Sequence, residues 1–193
     1  MSIDPTTGRR AVEARLATTT NPRHRKMLAT LAAHLAAEAD TSLQGLMDTL
    51  VAEPSYHMWA NGADYGPKGH DAVAAYYTKL VEARRGHLEY RIERIVVDDD
   101  TIVTEGFIDA YQPGMAARDF GFNVDRLDVT YLVAYRALVL WPFDAEARLL
   151  GEDGYASFNP DSAQPVDPAD LPESYISLFE PAEYAAVGIG SRL

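Results

Sequence analysis

The run VTYLVAYRALVLWPF, residues 129–143, constrains the fold more than any other stretch of the chain. Its β-branched and aromatic content predicts a strand. A strand with one wet face alternates apolar and polar residues, because successive side chains point to opposite faces. From Val133 to Phe143 both parities are apolar. Both faces of this strand must therefore be covered. Helices can cover one. A second copy of the chain can cover the other.

The elements before it supply the helices. Residues 1–22 read as a polar, Thr-rich arm that permits a short helix over Arg9 to Leu16. Asn21-Pro22 has the form of an N-cap followed by proline at the first helical position. The Ala/Leu-rich segment RHRKMLATLAAHLAAEA then predicts a helix. Asp40-Thr41-Ser42 interrupts it. Thr41 with Gln44 matches a capping box, so a second helix is expected through LQGLMDTLV, or else one kinked helix spans both. Pro54 ends this region, and SYHMWANG reads as a short strand. GPKG reads as a tight loop. HDAVAAYYTKLVEAR carries an apolar stripe of Val73, Tyr76, Tyr77, Leu80 and Val81 at helical spacing.

After Gly86 the texture becomes β-rich. LEYRIERIVV and TIVTEGFIDAYQ flank three aspartates, Asp98 to Asp100, as a hairpin. Gly114 to Leu127 reads as an irregular connection. The 129–143 run and ARLLGEDGYAS, joined by Asp144-Ala145-Glu146, form a second hairpin. Residues 159–193 are acidic and proline-bearing, a tail expected to pack on the core or on a partner subunit. Helices followed by long antiparallel strands give an α+β domain over residues 23–158.

Composition narrows the function. The formal net charge is −12, which argues against a nucleic-acid backbone or an anionic membrane as partner. The chain has no cysteine, which excludes disulfide and thiolate chemistry and fits a cytoplasmic setting. No stretch approaches the roughly 18 apolar residues of a membrane span. The five histidines, His24, His34, His57, His70 and His87, lack close metal-ligand spacing. P-loop, dinucleotide and nucleophile-elbow patterns are absent. Nothing in the sequence asks for a metal or a cofactor.

Four strings carry a family resemblance: HLAAEADTSLQGLMDTLVAEPSYHMW, GPKGHDAVAAYYTKL, DDDTIVTEGFIDAYQ and ALVLWPFDAEARLLGEDGY. In this order they resemble the NTF2-like superfamily, in the branch of the SnoaL-like polyketide cyclases and ketosteroid isomerases. The resemblance spans about residues 26 to 158. It implies a cone-shaped fold in which helices pack on a curved, mainly antiparallel sheet whose concave face lines a cavity. The isomerases' catalytic types are not kept: His34 takes the place of their first-helix tyrosine, Met58 that of their aspartate base, and Val139 that of their second oxyanion donor. SnoaL-like cyclases use an acid on the later strands as general acid/base, and here Glu152 keeps a carboxylate there.

Strand parity then selects candidates. Alignment of the Tyr111-Gln112 end puts Val103, Glu105, Phe107, Asp109 and Tyr111 inward. It also puts Tyr135, Val139, Trp141 and Phe143 inward, with Leu150, Glu152 and Gly154. A carboxylate in an aromatic cavity is desolvated, so its pKa rises towards neutrality. Glu152 is the expected general acid/base, with His34, Glu105 and His57 as partners. Tyr56, Met58, Phe107, Asp109, Tyr135, Val139 and Trp141 are the expected substrate-binding residues. Plainer readings stand beside these. Glu152 fits a structural ion pair or a wet strand end, and Ile102 and Ile108 give the opposite parity of Glu105's strand an equal apolar claim. His34 fits a surface pairing with Glu38 one turn on, and His57 fits packing beside Tyr56 and Trp59.

The sequence thus leads to a small cofactor-independent enzyme, a cyclase, isomerase or dehydratase acting by proton transfer on an apolar cyclic carbonyl or hydroxyl compound. A homodimer through the sheet is expected. The alternatives are a non-catalytic ligand-binding or dimeric interaction module, and a subunit that needs a partner enzyme, as the β subunits of ring-hydroxylating dioxygenases do.

Overall fold

Asn21 starts the first long helix as its sequence position predicts. Its side-chain oxygen accepts from the backbone N–H groups of Arg23 and His24, and Pro22 occupies the first turn. The computed structural model describes residues 3–60, 62–82 and 87–190. Three helices open the chain: α1 (Thr7–Thr18), α2 (Pro22–Ala39) and α3 (Leu43–Asp48). The cap of α3 is Ser42, whose hydroxyl accepts from Gly45 N–H, and not Thr41 as expected. Thr41 instead takes a left-handed φ of 51°, which turns the chain between the two helices.

Two short strands, β1 (His57–Ala60) and β2 (Ala63–Asp64), precede α4 (His70–Glu82). The expected end of that helix, residues 83–85, lies outside the described residues. The long strands follow: β3 (Leu88–Val97), β4 (Thr101–Pro113), β5 (Thr130–Pro142) and β6 (Asp153–Ser157). The connection after β4 contains a short helix, α5 (Gly114–Phe120), where an irregular segment was expected. The sheet order is β2-β1-β6-β5-β4-β3, with a two-residue strand β7 (Gln164–Pro165) on β5. All pairings are antiparallel except β1 with β6. The architecture is α+β, a curved sheet with helices on its concave side.

The main core lies between that concave face and the helices. Leu28, Leu31 and Leu35 of α2 and Val73 and Tyr77 of α4 pack with Ile102, Val139 and Trp141 of the sheet. Burying each large apolar side chain contributes on the order of 2 kcal/mol. A second cluster forms on the other face of the sheet. There the tail helices α6 (Glu173–Ile176) and α7 (Tyr184–Val187) bring Tyr175 and Ile176, with Leu171 and Phe179, against Tyr111. Thr130 Oγ1 donates to Val187 O at 2.6 Å and ties the tail to the start of β5. Among the described residues, no helix is long and apolar enough to cross a membrane.

Candidate functional site

The register of β4 on β5 decides which side chains meet the cavity. Ile108 stands opposite Tyr135, Thr104 opposite Val139 and Ile102 opposite Trp141. Directly paired residues share a face, so even positions of β4 go with odd positions of β5. Tyr135, Val139 and Trp141 line the cavity, as do Ile108 and Gln112. The inward set expected on β4 is therefore the outward set. Glu105 is bound by Arg136 at 2.7 Å and by Arg94 at 2.9 Å, and Arg136 holds its carboxyl below the usual range. Phe107 lies beneath the guanidinium groups of Arg91 and Arg136, 5.6 and 4.8 Å from its ring centre. Asp109 accepts from Arg91 Nε at 2.7 Å. Tyr111 packs under the tail. An alignment on one strand end could not see that Glu105, Phe107 and Asp109 face the arginines of β3 and β5.

Alternation on β1 sorts the next group. Tyr56, just before the strand, is fully buried and reaches the helices, and Met58 packs partly buried against the same core. His57 points away from the cavity. Its Nδ1 pairs with Asp64 Oδ2 at 2.8 Å, and its ring stacks on Trp59. His57 is thus separated from the other candidate proton-transfer groups.

Glu152 lies one residue before β6 and lines the cavity. Its position comes from backbone stitching to the segment leading into β1. Ser55 N–H donates to Leu150 O at 2.8 Å, and His57 N–H donates to Glu152 O at 2.7 Å. Gly151 between them has φ 156°, and a Cβ there would sit 1.9 Å from Ser55 O. Only glycine permits this approach. The kink breaks strand alternation, so Leu150, expected inward, is 41% exposed while Glu152 turns in.

Facing Glu152 are His34 and Glu38, one turn apart on α2. One donor atom from each of the three residues falls within 4.8 Å of the others. His34 is fully buried, and proton counting fixes its tautomer. Thr49 Oγ1 donates its only proton to Leu46 O at 2.6 Å. It must therefore accept from His34 Nδ1–H, 2.7 Å away. Burial pushes the imidazole pKa down to about 3, so the ring is neutral and its Nε2 is a bare acceptor. Tyr77 donates to Nε2 at 3.1 Å and accepts from Tyr56 at 2.8 Å. Both phenols are shifted upward by burial and stay protonated.

The carboxylates receive no such support. His34 Nε2 lies 3.8 Å from Glu38 Oε1, too far for a hydrogen bond and without a proton to give. Among the described residues no side chain or backbone N–H donates to the carboxyl of Glu38 or Glu152. Burial, then the charge of Glu152, raises Glu38 to about 8. Burial, then the charge of Asp153, raises Glu152 to about 7. Both residues line the hollow, whose volume is about 200 Å³, and the Glu38 side chain keeps 34% of its surface accessible. Two ionised carboxylates this close in an apolar hollow are unfavourable, so the pair holds a proton at neutral pH. The same three donor atoms are close enough to share a cation with small side-chain movements. Sequence reasoning saw Glu38 only as a surface partner of His34 and Tyr77 only as packing. The His34–Glu38 spacing and the Tyr77 stripe position were the available signals.

No protein-family model and no curated protein matches the sequence. Solved structures do match. A candidate SnoaL-like polyketide cyclase from Shewanella putrefaciens CN-32 is 13% identical, with a TM-score of 0.55 over 81% of this chain and 90% of that one. An NTF2-like protein from Anabaena variabilis ATCC 29413 is 12% identical, with a TM-score of 0.53 over 74% and 96%. The epoxide hydrolase/cyclase-like enzyme SalBIII, of pyran ring formation in the polyether salinomycin, is 8% identical, with a TM-score of 0.51 over 69% and 92%. The chain therefore has the NTF2-like fold seen in SnoaL-like proteins.

Proposed function

We propose that this protein is a small acid–base enzyme that moves a proton on an apolar cyclic substrate bearing a carbonyl or hydroxyl, in a cyclisation, isomerisation or dehydration. The observation that carries this is the Glu38–Glu152 pair, two carboxyls in one hollow with no donor among the described residues and pKa values raised towards neutrality. One ionised member can take a proton from carbon or hydroxyl while its protonated partner gives one to the substrate oxygen. Glu152 is the acid/base, Glu38 its partner, and His34 with Tyr77 and Tyr56 holds the wall of the site in one hydrogen-bonded arrangement. The cyclase names of two structural neighbours support ring-forming chemistry. Trp59, Tyr155 and Leu138, cross-strand neighbours 43%, 45% and 37% exposed on the outer face, support pairing with a second copy.

The test is deuterium exchange and product formation with fused-ring ketones such as 2-tetralone in D2O, followed by mass spectrometry. The wild type should exchange α-hydrogens faster than buffer. Glu152→Gln should lose about 100-fold or more of that rate while keeping its circular dichroism spectrum. Undiminished exchange in the folded variant defeats the assignment, and binding without exchange in the wild type favours the non-catalytic ligand-binding module.

A further inference from the structure

The cavity has a second polar end that the acid–base reading leaves unused. Gln112 is on the inward face of β4, lines the cavity and is 5% exposed. Its Oε1 is buried with no hydrogen-bond partner among the described residues. Apart from the acid pair, the buried polar side chains Trp141, Tyr90, Thr104 and His34 beside the hollow are paired. Trp141 Nε1 and Tyr90 OH both donate to Thr104 Oγ1, and His34 is bonded at both ring nitrogens. A buried amide oxygen without a donor lowers stability, so its retention here points to a donor brought by a ligand.

Its position sets the ligand's shape. Thr104 stands opposite Val139, which pairs with Gly154 beside Glu152, and so marks the acid end. Gln112 is eight residues further along β4, about 25 Å of strand contour, and its side chain and that of Glu152 both reach into the hollow and shorten the span. Ile108 and Tyr135, paired across the strands, form the wall between. The hollow is therefore polar at both ends and apolar in the middle.

We propose that Gln112 is a second anchor of the site. Its side-chain oxygen accepts a hydrogen bond from a hydroxyl or N–H at the far end of an elongated, otherwise apolar ligand, whose reacting oxygen lies against Glu38 and Glu152. The inference rests on reading the cavity as a ligand site and adds the ligand's length and its distal donor.

Tridecan-2-one, 12-hydroxydodecan-2-one and 12-methoxydodecan-2-one, extended flexible ketones that differ at one end, test this by titration into the full chain and its Gln112→Leu variant. The wild type should bind the hydroxyl compound about three- to tenfold more tightly than the other two, the worth of one hydrogen bond. The variant should bind all three alike. Equal affinities in the wild type, a preference for the methoxy compound, or a hydroxyl preference that survives in Gln112→Leu overturns the proposal. The melting temperature of the ligand-free protein is a second readout, independent of the probes. It should be unchanged or higher in Gln112→Leu, and a fall would show that the amide is satisfied within the fold and would overturn the proposal too. Glu152→Gln should leave the hydroxyl preference intact, so failure of the catalytic reading is a separate result.

Discussion

Replacing Glu152 by Gln should make the protein markedly more stable at alkaline pH and leave its stability nearly unchanged at acid pH. Burial raises the carboxyl from 4.5 to about 7. The fold therefore favours the neutral form, and the unfolded chain ionises first. Stability linked to this group is fully present below about 4.5 and is lost as pH rises through about 7. At 1.36 kcal/mol per pH unit the loss is on the order of 3 kcal/mol. Glutamine keeps the shape and never ionises, so the variant escapes that loss. It also removes the charge that helps to raise Glu38. His34 acts in the opposite sense, because its depressed pKa makes stability fall as pH drops below 6.5. That term is common to both proteins and cancels in their difference. Melting temperatures followed by circular dichroism from pH 4 to 9 should converge at the acid end. They should differ by on the order of 10 °C at pH 8 and above. A difference that stays constant across the range would refute the argument that Glu152 is buried without donors.

Thr104→Val should cost about 2–5 kcal/mol in urea denaturation, because it strands two buried donors, Trp141 Nε1 and Tyr90 OH; a cost below about 1 kcal/mol would mean that water replaces the hydroxyl. Glu105→Gln should leave ketone exchange within about twofold of wild type and lower stability only slightly, as expected for solvent-screened ion pairs on the outer face of the sheet. An activity loss matching that of Glu152→Gln would place Glu105 in the chemistry after all.

The order of elements was legible because its signals are local. Asn21-Pro22, the stripe of α4 and the two acidic hairpin tips each act within a few residues, and each appears where the sequence puts it. Which face of β4 turns inward was not legible, because parity is a relation between strands. Ile102 and Ile108 on one side and Val103 and Phe107 on the other give nearly equal apolar claims. The tie is broken by Arg91, Arg94 and Arg136, which belong to β3 and β5 and recruit Glu105 and Asp109 to their own face. Glu152 was reached by alternation from Leu150, yet alternation fails there: Gly151 kinks the chain and Leu150 turns out. The residue and the cavity agree for a reason that strand periodicity does not contain.

The unsupported polar groups of the cavity are not a consequence of a chain short of partners. Arg136 is the next residue after Tyr135, which lines the hollow, and Arg91 follows Tyr90, which also lines it. Strand alternation sends both arginines to the opposite face, where Glu105 and Asp109 are neutralised at 2.6–2.9 Å. A shift of one position along either strand would bring a cation towards the cavity. The hollow instead keeps two carboxyls, Glu38 of α2 and Glu152, and an amide oxygen without donors among the described residues, while Thr104 and His34 beside it are hydrogen-bonded. Satisfied groups fix the wall, and unsatisfied ones are left facing the same empty volume. A fold selected for stability alone would have no use for that division. It is the division that the proposed ligand, held at both ends and exchanging a proton with the acid pair, would require.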